Sequence, residues 1–164
     1  MRVLGLDPGL RRTGWGVVEM VDNRLRHLAD GVVKSDDTLS LAERLAQLYE
    51  GVRAVVVQWS PDEAAVEETF VNMNPASTLK LGQARGAVMV AAAGAGLRVA
   101  EYSPALVKQA VVGTGRAAKE QVGMMIRTLL PGCSATADAA DALAVAVCHA
   151  HHAQTRRKVL GAGR

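Results

Sequence analysis

The predicted elements follow the order of an α/β domain built on a mixed sheet. Three observations lead there: three strand-like runs succeed one another at the N-terminus, helix and strand patterns then alternate, and the final third carries helical patterns alone. The length agrees, because 164 residues suit one compact domain whose core needs neither disulfides nor metals to be stable.

Each element has a local reason. Arg2 to Asp7 reads as a short buried strand stopped by the turn pair Pro8-Gly9. Thr13 to Met20 and Arg24 to Ser35 read as two further strands, joined by the polar turn Val21-Asp22-Asn23 into an antiparallel meander. From Leu41, apolar residues recur at helical spacing (Leu41, Leu45, Leu48, Val52), with Ser40 as N-cap. Ala64 to Phe70 is the next strand, and Ser77 to Gly94 a long helix rich in Ala and Val. Arg98 to Tyr102 is a strand ended by Ser103-Pro104. Helices follow over Ala105 to Val112, Lys119 to Leu130, and Ala137 to about Thr155. Residues 1–155 form the expected domain and residues 156–164 a loose, basic tail.

Composition removes several classes. Charged residues make up 21% and hydrophobic ones 49%, a balance that argues against disorder. With only five aromatic residues, the core must be built from Val, Leu and Ala. Cys133 and Cys148 are too few and too far apart for a disulfide framework, so they are expected to pack as thiols in a reducing compartment. The 12 residues from Gly86 to Leu97 are too short to span a bilayer. The opening MRVLGLDPGL reaches an acid at Asp7, unlike a signal peptide. A cytoplasmic location is the expectation. Charge is uneven: residues 1–73 hold 8 basic and 12 acidic side chains, whereas residues 74–131 hold 7 basic and 2 acidic. An acidic cluster beside a basic middle suits a polyanion approached through a metal, although a net charge of +3 alone would not argue it.

Four carboxylates draw attention. Asp7 ends the first strand, on the side where ligands collect in open α/β sheets; capping of the Pro-Gly turn is the plainer reading. Glu67 and Glu68 lie near the end of an otherwise apolar strand, so alternation turns one of them inward, where an ionised group needs a partner; an edge strand with both acids partly wet is the plainer reading. Between Ala137 and Cys148, Asp138 and Asp141 are the only charges among Ala, Val, Leu and Cys. They lie about 60° apart around the axis and about 4.5 Å along it. Favourable helix-dipole placement, worth about 0.3–1 kcal/mol each, explains one of them better than two, and neither has a basic residue within a helical turn. If all four acids met, they would repel until cations or protons bound. Hard oxygen donors suit Mg²⁺, and two such ions can activate water and stabilise the leaving oxygen of a phosphodiester.

The series Leu4-Gly5-Leu6-Asp7-Pro8-Gly9, Ala65-Val66-Glu67-Glu68-Thr69-Phe70, Leu79-Lys80-Leu81-Gly82-Gln83-Ala84-Arg85-Gly86, Val107 to Gly113, and Ala137 to Ala144 resembles the motifs of the RuvC family of bacterial Holliday-junction resolvases. The resemblance runs in order from residue 1 to about residue 155. It implies a ribonuclease H-like fold, with a five-stranded mixed sheet flanked by helices. It also implies a homodimer that binds a four-way junction and nicks two opposed strands with Mg²⁺ or Mn²⁺, beside the RuvA and RuvB branch-migration proteins. Under it, Asp7, Glu67, Asp138 and Asp141 are the catalytic metal ligands. Phe70, the single phenylalanine, would stack on a base at the junction centre rather than cap the core, a contact worth about 1–3 kcal/mol. Lys108 and Lys119 would approach the phosphates near the scissile bond, and Lys80 and Arg85 the DNA backbone.

Other signals carry less. His149, His151 and His152 lack a third ligand at metal spacing and read as a solvated helix end. Gly113-Thr114-Gly115 reads as an inter-helix loop. Asp7-Pro8-Gly9 with Thr13-Gly14 also resembles the first phosphate loop of actin-like ATPases, which need a second, duplicated domain that 164 residues cannot hold. A junction-binding module without cleavage is the rival of a different class.

Overall fold

The computed structural model describes residues 1–68 and 74–161. Five strands form one mixed sheet in the order β3-β2-β1-β4-β5, as the resemblance implies. Strands β1 (Arg2–Asp7), β2 (Arg12–Val21) and β3 (Arg24–Lys34) are the antiparallel meander; β4 (Glu63–Glu67) and β5 (Arg98–Tyr102) add on parallel to β1. The β2–β3 turn is made by Asp22 and Asn23, both at positive φ (47° and 68°), the conformation that matches a tight hairpin to the twist of its strands.

Helices cover both faces. Helix α1 (Leu41–Trp59) starts at the expected Ser40, whose hydroxyl accepts from the Glu43 backbone N–H while the Glu43 carboxylate accepts from the Ser40 N–H. Helix α2 (Pro75–Ala93) begins two residues before the expected Ser77, because Asn74 caps it and Pro75 fits its first turn. Helices α3 (Pro104–Val112) and α4 (Lys119–Leu129) lie where expected. The last helix, α5 (Ala137–Gly161), runs past Thr155 into the segment expected to be a loose tail. No Gly or Pro interrupts it before Gly161, and Arg156 and Arg157 suit the negative end of the helix dipole. Among the described residues, no helix is long and apolar enough to cross a membrane.

The core divides at the sheet. Leu4, Leu6, Val17, Ala64 and Val66 face α1 and α2, with Leu48, Val52 and Val88 opposite. Val3, Val18 and Ala65 face the other way, with Ile126, Leu143 and Val147. Helix α5 lies directly against β1 and β2, and glycines make this possible. A Cβ on Gly5 would run into the Ala142 carbonyl, and one on Gly14 into the Asp138 carbonyl. Alanine on the helix and glycine on the sheet bring the two backbones together. This contact sets where the acids of α5 stand.

Candidate active site

Parity along the strands brings the acids to one face. In β1, Leu4 and Leu6 point toward α1 and α2, so Val3, Gly5 and Asp7 point toward α5. In β4, Ala64 and Val66 take the first face and Ala65 the second, so the inward acid is Glu67 and Glu68 is exposed. Parallel pairing aligns Leu6 with Val66, which sets Asp7 and Glu67 on neighbouring strand ends. Asp7 pairs with Gly14, over which the Asp138 carbonyl sits, so the first turn of α5 lies beside them. All four acids meet. The adjoining β1–β2 turn is closed by buried Thr13, whose hydroxyl donates to the Gly9 carbonyl at 3.0 Å and accepts from the Gly9 N–H at 3.3 Å.

Electrostatics follow from this crowding. Burial, then the charges of Asp141 and Glu67, raise the Asp7 pKa from 3.8 to about 7. Glu67 is raised as well, first by burial and next by Asp141, against the opposing pull of Lys108 and Lys119. Among the described residues no ion pair reaches Asp7 or Glu67. The helix acids differ. Lys119 Nζ lies 2.5 Å from Asp141 Oδ2, and Arg12 Nε lies 2.9 Å from Asp138 Oδ2. The empty basic neighbourhood read from the sequence of α5 is therefore corrected: both partners arrive from distant segments. Hydrogen bonding to Asp141 raises the Lys119 pKa and keeps that ammonium charged.

Glu67, Lys108, Lys119 and Asp141 line one cleft with Pro104, Val107, Val122 and Ala144. A donor set made only of carboxylate oxygens, held on two strand ends and a helix turn, fits a hard divalent cation. The burial of Asp7 and Glu67 among like charges is what a divalent cation would relieve.

The other expected residues fall in different places. Phe70 lies outside the described residues, and β4 spans Glu63–Glu67. Lys80 is exposed on the first half of α2. Arg85 pairs with Glu101 and donates from Nε to the Glu67 carbonyl at 3.4 Å, bracing the end of β4. His149 corrects the solvated-end reading, being fully buried. Its Nε2 is 2.7 Å from Glu63 Oε2 and its Nδ1 2.9 Å from the Tyr102 hydroxyl. Burial lowers its pKa, so the neutral ring donates from Nε2 to Glu63 and accepts the Tyr102 proton at Nδ1. Sequence reasoning missed Arg12. The signal was available in the meander, since antiparallel pairing of β2 with β1 returns residue 12 to the tip that carries Asp7.

Known proteins resemble this chain in sequence and fold. A family model described as crossover junction endodeoxyribonuclease RuvC matches residues 3–149. The crossover junction endodeoxyribonuclease RuvC of Paramagnetospirillum magneticum is 71% identical over 160 residues, covering 97% of this chain and 96% of that protein. Its namesake in Rhodospirillum rubrum is 74% identical over 153 residues, with 93% and 90% covered. The structure of Thermus thermophilus RuvC in complex with Holliday junction substrate superposes with a TM-score of 0.87 at 39% identity, covering 94% of this chain and 96% of that one. On the family match and these identities, the chain belongs to the RuvC family of crossover junction endodeoxyribonucleases.

Proposed function

We propose that the protein resolves Holliday junctions by nicking two opposed strands, with Asp7, Glu67, Asp138 and Asp141 as the ligands of two Mg²⁺ or Mn²⁺ ions. The observation that carries this reading is the meeting of four carboxylates beside a rim of Lys108, Lys119 and Arg12. When bound, such ions supply an activated water and stabilisation of the leaving oxygen. The chain's own groups prepare for that. Asp7 and Glu67 extend from adjacent strands and hold their geometry through the ladder. Lys119 orients Asp141 through their ion pair, and with Lys108 it offers positive charge to the non-bridging oxygens of the scissile phosphate. Arg12 holds Asp138 toward the strand tip. Phe70 stacks on an unpaired base at the crossover, and Lys80 and Arg85 meet the flanking backbone; for these three the support is the family resemblance.

Two opposed nicks need two sites. On α2, Leu79, Gly82, Gly86 and Val90 lie along one face; Leu79 is 65% and Val90 60% exposed, and the two glycines leave open space above the helix. This flat apolar strip favours a homodimer. Action beside RuvA and RuvB in the cytoplasm rests on family membership. The test is a junction assay with Asp141→Asn, for which shifted but uncut DNA is expected. Wild-type cleavage by that variant would remove Asp141 from the mechanism, and a wild-type protein that shifts junctions without ever nicking them would leave the binding module as the function.

A further inference from the structure

His27 and Asp30 stand three residues apart on β3, a spacing that sends side chains to opposite faces of a regular strand. Here they share a face. Val18 pairs with His27, Val17 with Ala29 and Gly16 with Asp30, which leaves Leu28 as the extra residue of a β-bulge. The packing records the inversion: Leu25, before the bulge, joins the core under α5, whereas Leu28 and Val33 join the core under α1 and α2. His27 and Asp30 are thereby turned toward Cys133, in the loop between α4 and α5. His27 Nε2 lies 2.7 Å from Asp30 Oδ2, and Cys133 Sγ lies 4.0 Å from the same oxygen. One ring nitrogen, one carboxylate oxygen and one sulfur are all within 4.8 Å of one another.

A His–Asp hydrogen bond on its own calls for neither the bulge nor a thiol. The donor chemistry differs from that of the four acids, because mixed N, O and S ligands select zinc-class ions and not Mg²⁺. Charge balances too, since a carboxylate and a thiolate neutralise a divalent ion where an unpaired charge would be costly. Cys133 is nearly enclosed, at 8% exposure, while His27 and Asp30 are about one-fifth exposed, so water can reach a fourth position. We propose that His27, Asp30 and Cys133 form a second metal site, structural in role, for a zinc-class divalent ion. The ion binds neutral His27 at Nε2, with the ring proton moved to Nδ1, and Cys133 as thiolate, releasing one proton to solvent. Metal–ligand distances of about 2.0–2.3 Å replace the His–Asp hydrogen bond. The site pins edge strand β3 to the loop that enters α5 five residues before Asp138, so it steadies the approach to the acid pair without touching it.

Cobalt(II) chloride is the probe, titrated into metal-free protein in excess Mg²⁺. One equivalent should bring a thiolate-to-cobalt charge-transfer band in the wild type, in Asp141→Asn and in Cys148→Ser, and zinc chloride should bleach it. The band should vanish in Cys133→Ser, and His27→Gln should weaken cobalt binding roughly tenfold or more, with circular dichroism reporting that each variant is folded. Should Cys133→Ser fail to fold, the affinity of His27→Gln decides. Absence of the band in the wild type, its survival in Cys133→Ser, or unchanged affinity in His27→Gln would overturn the site.

Discussion

Replacing Asp7 by Asn removes a buried charge crowded by like charges while keeping its shape. The Asp7 pKa stands at about 7 against 3.8 for an ordinary aspartate, a span of about three pH units. At ~1.4 kcal/mol per unit, this is about 4 kcal/mol. The sign follows from the direction of the shift. The fold favours the protonated acid, so its contribution to stability is complete below pH ~4 and is lost as the pH rises through about 7. Metal-free wild type and Asp7→Asn should therefore be nearly equal in stability at pH 4. By pH 8 the variant should be ahead by up to about 4 kcal/mol, or roughly 8–16 °C in Tm for a chain of this size. Thermal and urea unfolding of both proteins in chelator, between pH 4 and 8, measures the difference. Mg²⁺ at pH 8 should raise the wild type and leave the variant almost unmoved, because a ligand that binds only the folded state stabilises it. A wild-type-to-variant difference that stays flat with pH would refute the claim that Asp7 is buried among like charges.

Three further outcomes are expected. Gly5→Ala should cost at least about 3 kcal/mol in urea unfolding, since its Cβ meets the backbone of Ala142 and Ala146; a loss below 1 kcal/mol would mean that α5 does not sit this close to β1. His149→Leu should cost about 2–4 kcal/mol, as Glu63 and the Tyr102 hydroxyl both lose their partner, and an unchanged Tm would show that the ring carries no such network. Leu79→Glu with Val90→Glu should turn a dimer into a monomer by analytical ultracentrifugation at micromolar concentration; a persisting dimer would place the interface away from this face of α2.

What could be read from the sequence was what short stretches decide. Ser40 and Glu43 form a capping box within four residues, and Pro8-Gly9 stops β1 wherever the rest of the chain goes. Asp7 at a strand tip and the Asp138–Asp141 pair on an alanine-rich helix were legible for the same reason. Less legible was whatever depends on a distant segment. Alternation narrowed the inward acid to Glu67 or Glu68, but only the parallel register with β1 selects Glu67. Arg12 and Lys119 reach the α5 acids from more than a hundred and from about twenty residues away, so the charge pattern of α5 could not show them. His149 read as surface because it stands with His151 and His152 near the polar end of α5, while its partners Glu63 and Tyr102 come from two strands. The bulge at Leu28 left no local mark, and the alternation it reverses is visible only against β2.

The most direct measurement uses a synthetic four-way junction, end-labelled on each arm in turn, incubated with the protein and Mg²⁺. Two nicks of equal yield at symmetry-related positions on opposed strands are predicted, abolished by chelator and by Asp7→Asn, with junction binding retained in both cases. Nicking that proceeds in chelator, or that Asp7→Asn leaves at the wild-type rate, would contradict the assignment of the four carboxylates as the seat of the chemistry.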